Sequence, residues 1–193
     1  MSLAEDLHDG APRFESAEAF LAWAGRQPER WELVDGVARM MTGGSLNHSR
    51  IAGNAYFALR SRLGHGRCEA FGSDAAVILG SRRVAFPDVS VSSCEAETGT
   101  SVAQPVVIVE VLSPSTESYD LGHKAAAYRR LPSLRHLVLA HQDRVAVQHF
   151  HREAESQEFR LTELNQVDGR LILTAIDIEI TLLDLYAQVV LTG

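Results

Sequence analysis

The chain has 193 residues, of which 46% are hydrophobic and 22% charged, and its net charge is −7. This composition and length are typical of one soluble globular domain with a core of its own. No apolar stretch approaches the roughly 20 residues that a membrane-spanning helix needs, which excludes that class of protein. The acidic charge disfavours a protein that binds nucleic acid mainly through phosphate contacts.

Terminal and cysteine patterns predict where the protein resides. The segment Met1 to Gly10 is acidic and lacks the apolar core of a secretory signal, which predicts a cytoplasmic protein. Cys68 and Cys94 do not have the spacing of a disulfide framework or a zinc site, and they favour a reduced compartment. Paired arginines predict either a basic rim or simple solvated surface: Arg60 and Arg62, Arg82 and Arg83, Arg129 and Arg130.

The first third of the chain predicts two helices and a hairpin. Ser16 is placed to cap a helix over 16–26. Two short strands, 31–34 and 37–41, flank the turn Asp35-Gly36, a strong hairpin signal. A second helix follows Ser45 and ends at Gly64, because apolar residues recur every four positions: Ile51, Ala55, Leu59 and Leu63.

The rest of the chain predicts a strand-rich core. A loop over 92–104 precedes the apolar run 106–112, which is typical of a central strand buried on both faces. A third helix is predicted over 120–131 with Asp120 as its cap, and a short amphipathic helix over 182–191. Other strands are predicted at 67–71, 75–79, 84–91, 136–140, 144–150, 159–164 and 171–176. Together they predict one mixed α/β (α+β) domain over 1–193, with a core at about 31–150 and C-terminal strands and a short helix over 159–191.

Glu110 is the residue that most needs an explanation. It lies inside the predicted central strand, where its neighbours are apolar. A buried carboxylate costs several kcal/mol unless a cation or donors compensate it. A structural salt bridge, a strand end that reaches solvent, or a functional site would each account for it.

Asp88 and Lys124 are the other candidates. Asp88 follows Pro87, which indicates an edge or bend in the strand, and it shares a predicted face with Val84, Phe86 and Ser90. A turn-proximal surface aspartate is the alternative. Lys124 lies on an apolar helical stripe with Ala127, Tyr128 and Leu131, so it either extends its amine to solvent or meets a carboxylate.

These three residue types fit one chemistry. Two carboxylates bind a hard cation such as Mg²⁺ or Mn²⁺. Such a cation can activate water, and a neighbouring lysine can orient that water or share negative charge in the transition state. The residues therefore predict a metal-dependent phosphodiester-cleaving site.

The motifs around these residues resemble the Uma2 (DUF820) family of the restriction-endonuclease-like PD-(D/E)XK nucleases. The resemblance covers roughly Trp31 to Phe150 and rests on three motifs: Phe86-Pro87-Asp88-Val89, Val109-Glu110-Val111-Leu112-Ser113-Pro114-Ser115-Thr116, and Asp120 to Lys124. It implies a three-layer α/β/α fold with a mixed central sheet and metal on Asp88 and Glu110. The backbone carbonyl of Val111 is implied as a further ligand.

The resemblance also brings in two further residues and one departure. The usual lysine two positions after the acid is Leu112 here, so its role would pass to Lys124 on the following helix. Glu32 is implied as a contact for metal-bound water or a second cation, with a surface strand residue as the alternative. His48 is a candidate that points into the cleft, with helix capping or packing as the alternative.

The function that these observations predict is a Mg²⁺-dependent endonuclease acting on DNA, with RNA left open. Two alternatives remain: a nuclease-fold domain kept for binding or assembly, and a metal-dependent hydrolase of a small phosphorylated molecule. By analogy with the superfamily, we expect a homodimer or higher homo-oligomer. His149 and His151 share one strand face, but without a third ligand they are predicted to be exposed strand histidines.

Overall fold

The structure, a computed structural model, describes residues 10–65, 68–93, 98–113 and 120–191, with Asp120 and Leu121 as backbone. Its elements in chain order are α1 (Ala17–Ala24), β1 (Trp31–Val34), β2 (Val37–Met40), α2 (Leu46–Leu63), β3 (Ala70–Gly72), β4 (Val77–Gly80), β5 (Arg83–Ala85), β6 (Val89–Ser92), β7 (Pro105–Leu112), a π-helical turn (Asp120–Lys124) continuing into α3 (Ala125–Tyr128), β8 (His136–His141), β9 (Val147–His151), β10 (Arg160–Leu164), β11 (Arg170–Leu173), a 3₁₀ turn (Thr174–Ile176), β12 (Ile178–Thr181) and α4 (Leu182–Leu185).

The central sheet has six strands in the order β10-β9-β8-β7-β6-β3. Strands β7 and β8 pair in parallel, and the other neighbours pair antiparallel, so the sheet is mixed as predicted. The run predicted as a central strand is β7, which lies between β6 and β8 and is buried along nearly its whole length. The connection from β7 to the parallel β8 passes through α3, as a parallel pair requires a crossover.

Helices cover both faces of this sheet and make the expected three layers. Ile51, Ala55 and Leu59 of α2 pack on one face, in the same core as alternate residues of β7. On the opposite face, Tyr128 of α3 packs with Ile108 and the other alternate residues of β7. The mixed fold with an α/β/α core is therefore confirmed.

The N-terminal elements follow their local signals. The Ser16 side chain accepts a hydrogen bond from Ala19 N at 3.2 Å and caps α1, and Ser45 caps α2 in the same way. At the turn between β1 and β2, Asp35 and Gly36 have φ angles of 51° and 84°, the left-handed values that a tight hairpin needs. This hairpin belongs to a second sheet of four strands in the order β2-β1-β5-β4.

The prediction of one strand over 84–91 is wrong. The segment divides into β5, in the four-stranded sheet, and β6, in the six-stranded sheet. Phe86, Pro87 and Asp88 cross between the two sheets. Pro87 has no N–H to donate to a ladder, which explains why pairing stops there.

The C-terminal predictions need larger corrections. The predicted strand over 171–176 ends at Leu173, and the hairpin partner β12 was missed. Its turn uses Asp177 at a φ of 53°, without the glycine that signals such turns. The helix predicted over 182–191 is shorter and comprises only α4 (Leu182–Leu185). The helix predicted to reach residue 131 ends at Tyr128.

One further expectation, on the cysteines, is corrected, and several others concern residues that the structure does not describe. Cys68 is disulfide-bonded, against the expectation of reduced cysteines. Arg67 and the stretch 114–116 lie outside the described residues, as does the side chain of Asp120 with its predicted cap. In the described part of the chain, no helix combines the length and apolarity required to cross a membrane.

Candidate functional site

Glu110 projects from the middle of the central sheet and is compensated by a lysine. Its exposed fraction is 5%, and its Oε1 lies 2.8 Å from Nζ of Lys124, which is itself 9% exposed. Of the three explanations that the sequence leaves open for this carboxylate, the structure shows the salt bridge. Lys124 therefore meets a carboxylate inside the protein and does not extend its amine to solvent.

Tyr128 is a site residue that sequence analysis treated only as core. It follows Lys124 by four residues, so the π-helical turn and α3, which form one continuous helical segment, present both side chains on one face. The Tyr128 hydroxyl donates to the same Glu110 Oε1 at 2.5 Å. The signal in the sequence was a tyrosine on the stripe of Lys124, because a buried phenol needs a hydrogen-bond partner.

The π-helical turn that contains Lys124 is an uncommon feature. Single π turns are rare in proteins and are frequently found at functional sites. Here the turn ends at Lys124 and α3 starts at the next residue. The turn therefore supplies Lys124, one of the two donors to Glu110, and α3 supplies the other, Tyr128.

Asp88 is held to the central sheet by a backbone contact. Its Oδ2 accepts a hydrogen bond from Val111 N at 2.7 Å. Val111 directly follows Glu110, so the segment between the two sheets brings the second carboxylate next to the first. The predicted grouping of Asp88 with Val84 and Phe86 on one strand face is replaced by this contact.

His48 lies at the start of α2 and faces Asp88. Its Nε2 is 3.4 Å from Asp88 Oδ2. Burial lowers the pKa of His48 below its usual 6.5, while the charge of Glu110 and a hydrogen bond with the backbone of Val111 act in the opposite direction. The imidazole is therefore neutral at neutral pH.

Gly44 is part of the reason that His48 can occupy this position. A Cβ at residue 44 would lie 2.8 Å from Cγ and Nδ1 of the imidazole. The glycine thus leaves room for the ring. Sequence analysis missed this role, because glycine in a loop before a helix has many causes.

Glu32 lies on β1 of the four-stranded sheet and is the last member of the group around Lys124. Its Oε2 lies 4.0 Å from Lys124 Nζ, and its side chain is mostly buried. Lys124 therefore lies between two glutamates, Glu110 at 2.8 Å and Glu32 at 4.0 Å. A residue of β1 thus joins a site built mainly on β7 and α3.

Apart from Tyr128, which is fully buried behind Glu110, these residues line one cleft with a volume of about 1110 Å³. The predicted site residues are found together there: Glu32, His48, Asp88, Glu110, Val111 and Lys124. Among its described lining residues, acids outnumber bases, with Glu29, Glu32, Asp88 and Glu110 against Arg30 and Lys124. The paired arginines named above are described but do not line the cleft, so of their two alternatives the basic rim is not found at this cleft.

The donor set can be compared with what different metals require. In the described residues, no group of three or more His, Cys, Asp or Glu side chains is arranged to hold a metal ion. That disfavours a zinc site of the usual kind, which needs at least three protein ligands. Mg²⁺ is commonly held by one or two carboxylates and keeps several waters, and the carboxylates of Asp88 and Glu110 fit that requirement.

The prediction for the histidines of β9 is wrong for His149. This side chain is buried, and its ring stacks on His136 with a centroid distance of 5.2 Å. Neither histidine lines the cleft. His149 therefore belongs to a separate cluster on the sheet.

Comparisons with known proteins show the family of this chain and agree with its fold. The sequence matches the family model described as "Uma2: Putative restriction endonuclease" over residues 17–183. It is 35% identical over 165 residues to the uncharacterized protein slr1290 of Synechocystis sp. strain PCC 6803, covering 83% of this chain and 85% of that protein. A second uncharacterized Synechocystis protein, sll1609, is 30% identical over 154 residues, covering 77% of this chain and 86% of that protein.

One solved structure shows the same fold. It is described as the crystal structure of "a putative nuclease belonging to DUF820" from Anabaena variabilis. The two chains have a TM-score of 0.70 and 16% identity, with 91% of this chain and 99% of that chain covered.

Proposed function

This chain belongs to the Uma2 family, and we propose that it is a Mg²⁺-dependent endonuclease that hydrolyses phosphodiester bonds in DNA. One observation carries the proposal. Asp88 and Glu110 come from different elements, and the hydrogen bond from Val111 N to Asp88 links both to one point of β7, at the cleft. Three mostly buried carboxylates, those of Glu32, Asp88 and Glu110, line this cleft, and Lys124 supplies one positive charge to two of them, so a cation would offset the remaining negative charge.

We propose that Asp88 and Glu110 hold the cation, with the Val111 carbonyl as a further ligand. A bound Mg²⁺ would supply an activated water and stabilise negative charge on the phosphate. Lys124 would orient that water or share the developing charge. Glu32 supports the position of the lysine amine, and His48 supports that of Asp88.

The charge of the cleft favours a metal requirement. Its described acids outnumber its bases, so a polyanion would be repelled from the protein alone. A divalent cation on the carboxylates would neutralise that local charge. We therefore expect tight binding of DNA to require Mg²⁺ or Mn²⁺.

The test is cleavage of plasmid DNA and of RNA with Mg²⁺ or Mn²⁺, compared with the same reactions in EDTA. Asp88→Asn and Glu110→Gln keep shape and remove charge, and each should reduce cleavage on the order of 100-fold or more, since metal stabilisation contributes several kcal/mol. Asp143→Asn is the matched control, because Asp143 is a half-exposed carboxylate that does not line the cleft. Cleavage that survives EDTA, or that both site variants retain, would contradict the proposal.

The acidic lining also favours a second candidate, a metal-dependent hydrolase of a small phosphorylated molecule. A single phosphate group is repelled less by a negative cleft than a polyanion is. Release of nitrophenol from bis(p-nitrophenyl) phosphate and p-nitrophenyl phosphate would reveal this activity. Metal-dependent turnover of these esters with no cleavage of nucleic acid would favour the second candidate.

A further inference from the structure

Glu110 has two donors on a single carboxylate oxygen. Lys124 Nζ lies 2.8 Å from Oε1, and the Tyr128 hydroxyl lies 2.5 Å from the same atom. The lysine already supplies the opposite charge that a buried carboxylate needs. The phenol is therefore not required for charge compensation, and its position needs another explanation.

Tyr128 is better suited than Lys124 to fix the orientation of the carboxylate. Its exposed fraction is 0%, and its rigid ring is packed in the core with Ile108 and Leu137. A phenol presents one directional O–H, whereas an ammonium group is a point charge on a flexible stem. With both donors on Oε1, the carboxylate plane is held and Oε2 is the oxygen left for a cation.

A carboxylate held in this way binds a cation through one oxygen. Mg²⁺ and Mn²⁺ prefer octahedral geometry, which monodentate carboxylates satisfy. Ca²⁺ also accepts bidentate carboxylates and larger coordination numbers. We propose that Tyr128 is a positioning residue that restricts Glu110 to monodentate coordination, so that the site selects Mg²⁺ and Mn²⁺ over Ca²⁺. The inference rests on the proposed function, in which Glu110 is a metal ligand.

The test is the ratio of Mn²⁺ to Ca²⁺ affinity, measured by isothermal titration calorimetry on the full chain. Tyr128→Phe removes only the hydroxyl and should reduce this ratio about 10-fold, the lower range seen when a partner of a metal ligand is removed. A general loss of stability would weaken both cations together, so the ratio separates positioning from folding.

Tyr186→Phe is the matched control. Tyr186 is also buried, but its hydroxyl lies 2.9 Å from the backbone carbonyls of His141 and Ala146. This variant should have the same ratio of Mn²⁺ to Ca²⁺ affinity as the wild type. A ratio in Tyr128→Phe that equals that of the control would overturn the inference and leave the proposed function standing. Unchanged Mn²⁺ affinity in Glu110→Gln would instead overturn both.

A second measurement needs no tyrosine variant. Infrared spectra of wild type with ¹³C-labelled glutamate report how a carboxylate binds, and Glu110→Gln assigns the Glu110 bands. We expect the wide separation of the asymmetric and symmetric carboxylate stretches that is typical of monodentate binding of Mg²⁺. A narrow separation, typical of two-oxygen binding, would overturn the inference even if Tyr128→Phe did not fold.

Discussion

Glu110 on β7 and His149 on β9 are both ionisable side chains buried in the six-stranded sheet, and they lie on opposite faces. Glu110 pairs with Leu139, and His149 pairs with Val138, the preceding residue of β8. Side chains alternate along a strand, so the two residues point in opposite directions. The same sheet therefore buries a titratable group in two different environments.

The two environments remove the cost of burial in different ways. Glu110 is paired with Lys124, so charge is met by opposite charge. His149 lies 3.0 Å from His136 through ring nitrogens, and burial lowers the pKa of His149 to about 3 and that of His136 to about 4. The histidines are therefore neutral, while the acid and lysine form an ion pair at an open cleft.

The comparison separates a candidate active site from a structural cluster. His136 Nε2 accepts a hydrogen bond from Ala175 N at 3.1 Å, so the stack ties β8 to the turn after β11. A neutral stack packed inside the protein contributes shape and hydrogen bonds. A charged group at a cleft can also meet a ligand, which is why function is assigned to the Glu110 side.

Breaking the ion pair should have the largest effect on stability. Lys124→Met leaves Glu110 buried without its cation, and we expect a loss of about 3 kcal/mol in the free energy of unfolding at pH 7. The double variant Lys124→Met with Glu110→Gln should recover most of this loss, since residue 110 then carries no charge. Urea denaturation measures both, and equal stability of the single and double variants would contradict the ion-pair account.

Acid should break the histidine stack. In the unfolded chain each histidine titrates near 6.5, whereas the folded pKa values are about 4 for His136 and about 3 for His149. The unfolded state therefore binds more protons, and stability present above pH 6.5 is lost as the pH falls toward those values.

Removing His149 should make this pH dependence shallower. We expect the slope of unfolding free energy for His149→Leu, between pH 6.5 and 4, to be smaller by about 1.4 kcal/mol per pH unit. Urea denaturation across this range measures it, with His65→Asn as a control at an exposed position. Identical slopes for His149→Leu and wild type would show that the stack is not held neutral.

The strand contact beside the stack, between His151 and Thr162, should matter least. His151 Nε2 lies 3.2 Å from Thr162 Oγ1 in an exposed contact on β10. Thr162→Val should change the free energy of unfolding by less than about 0.5 kcal/mol and leave the pH dependence unchanged. Thermal unfolding at pH 7 and pH 5 would measure this, and a larger loss would extend the stack to the sheet edge.

Much of the local structure could be predicted because local signals depend on only a few neighbouring residues. The Asp35-Gly36 turn, the Ser45 cap and the apolar run of β7 each depend on backbone preference or periodicity, and each is found as expected. The same reasoning failed at Asp177, because aspartate tolerates the left-handed conformation but signals it far less strongly than glycine does.

The candidate residues were predicted one by one, but of their contacts only that of Lys124 with Glu110 was predicted. The run around Glu110 showed that a buried carboxylate needed compensation, and Lys124 was identified as the candidate partner. The partnership of Tyr128 with Glu110 joins residues 18 apart, and that of Asp88 with Val111 N joins residues 23 apart. Such pairs depend on how a helix and two sheets meet, which no local pattern specifies.

The sequence by itself therefore determined the helices of the first half of the chain, the central strand, the mixed α/β class and the need of Glu110 for a compensating partner. Those depend on periodicity, turn chemistry and the cost of burying charge, which act over a few residues. Only the tertiary structure decided that Asp88 lies on a crossover between sheets, that Oε1 of Glu110 receives two donors, and that His149 is buried. These outcomes depend on packing between distant segments, where small changes in orientation decide which atoms meet.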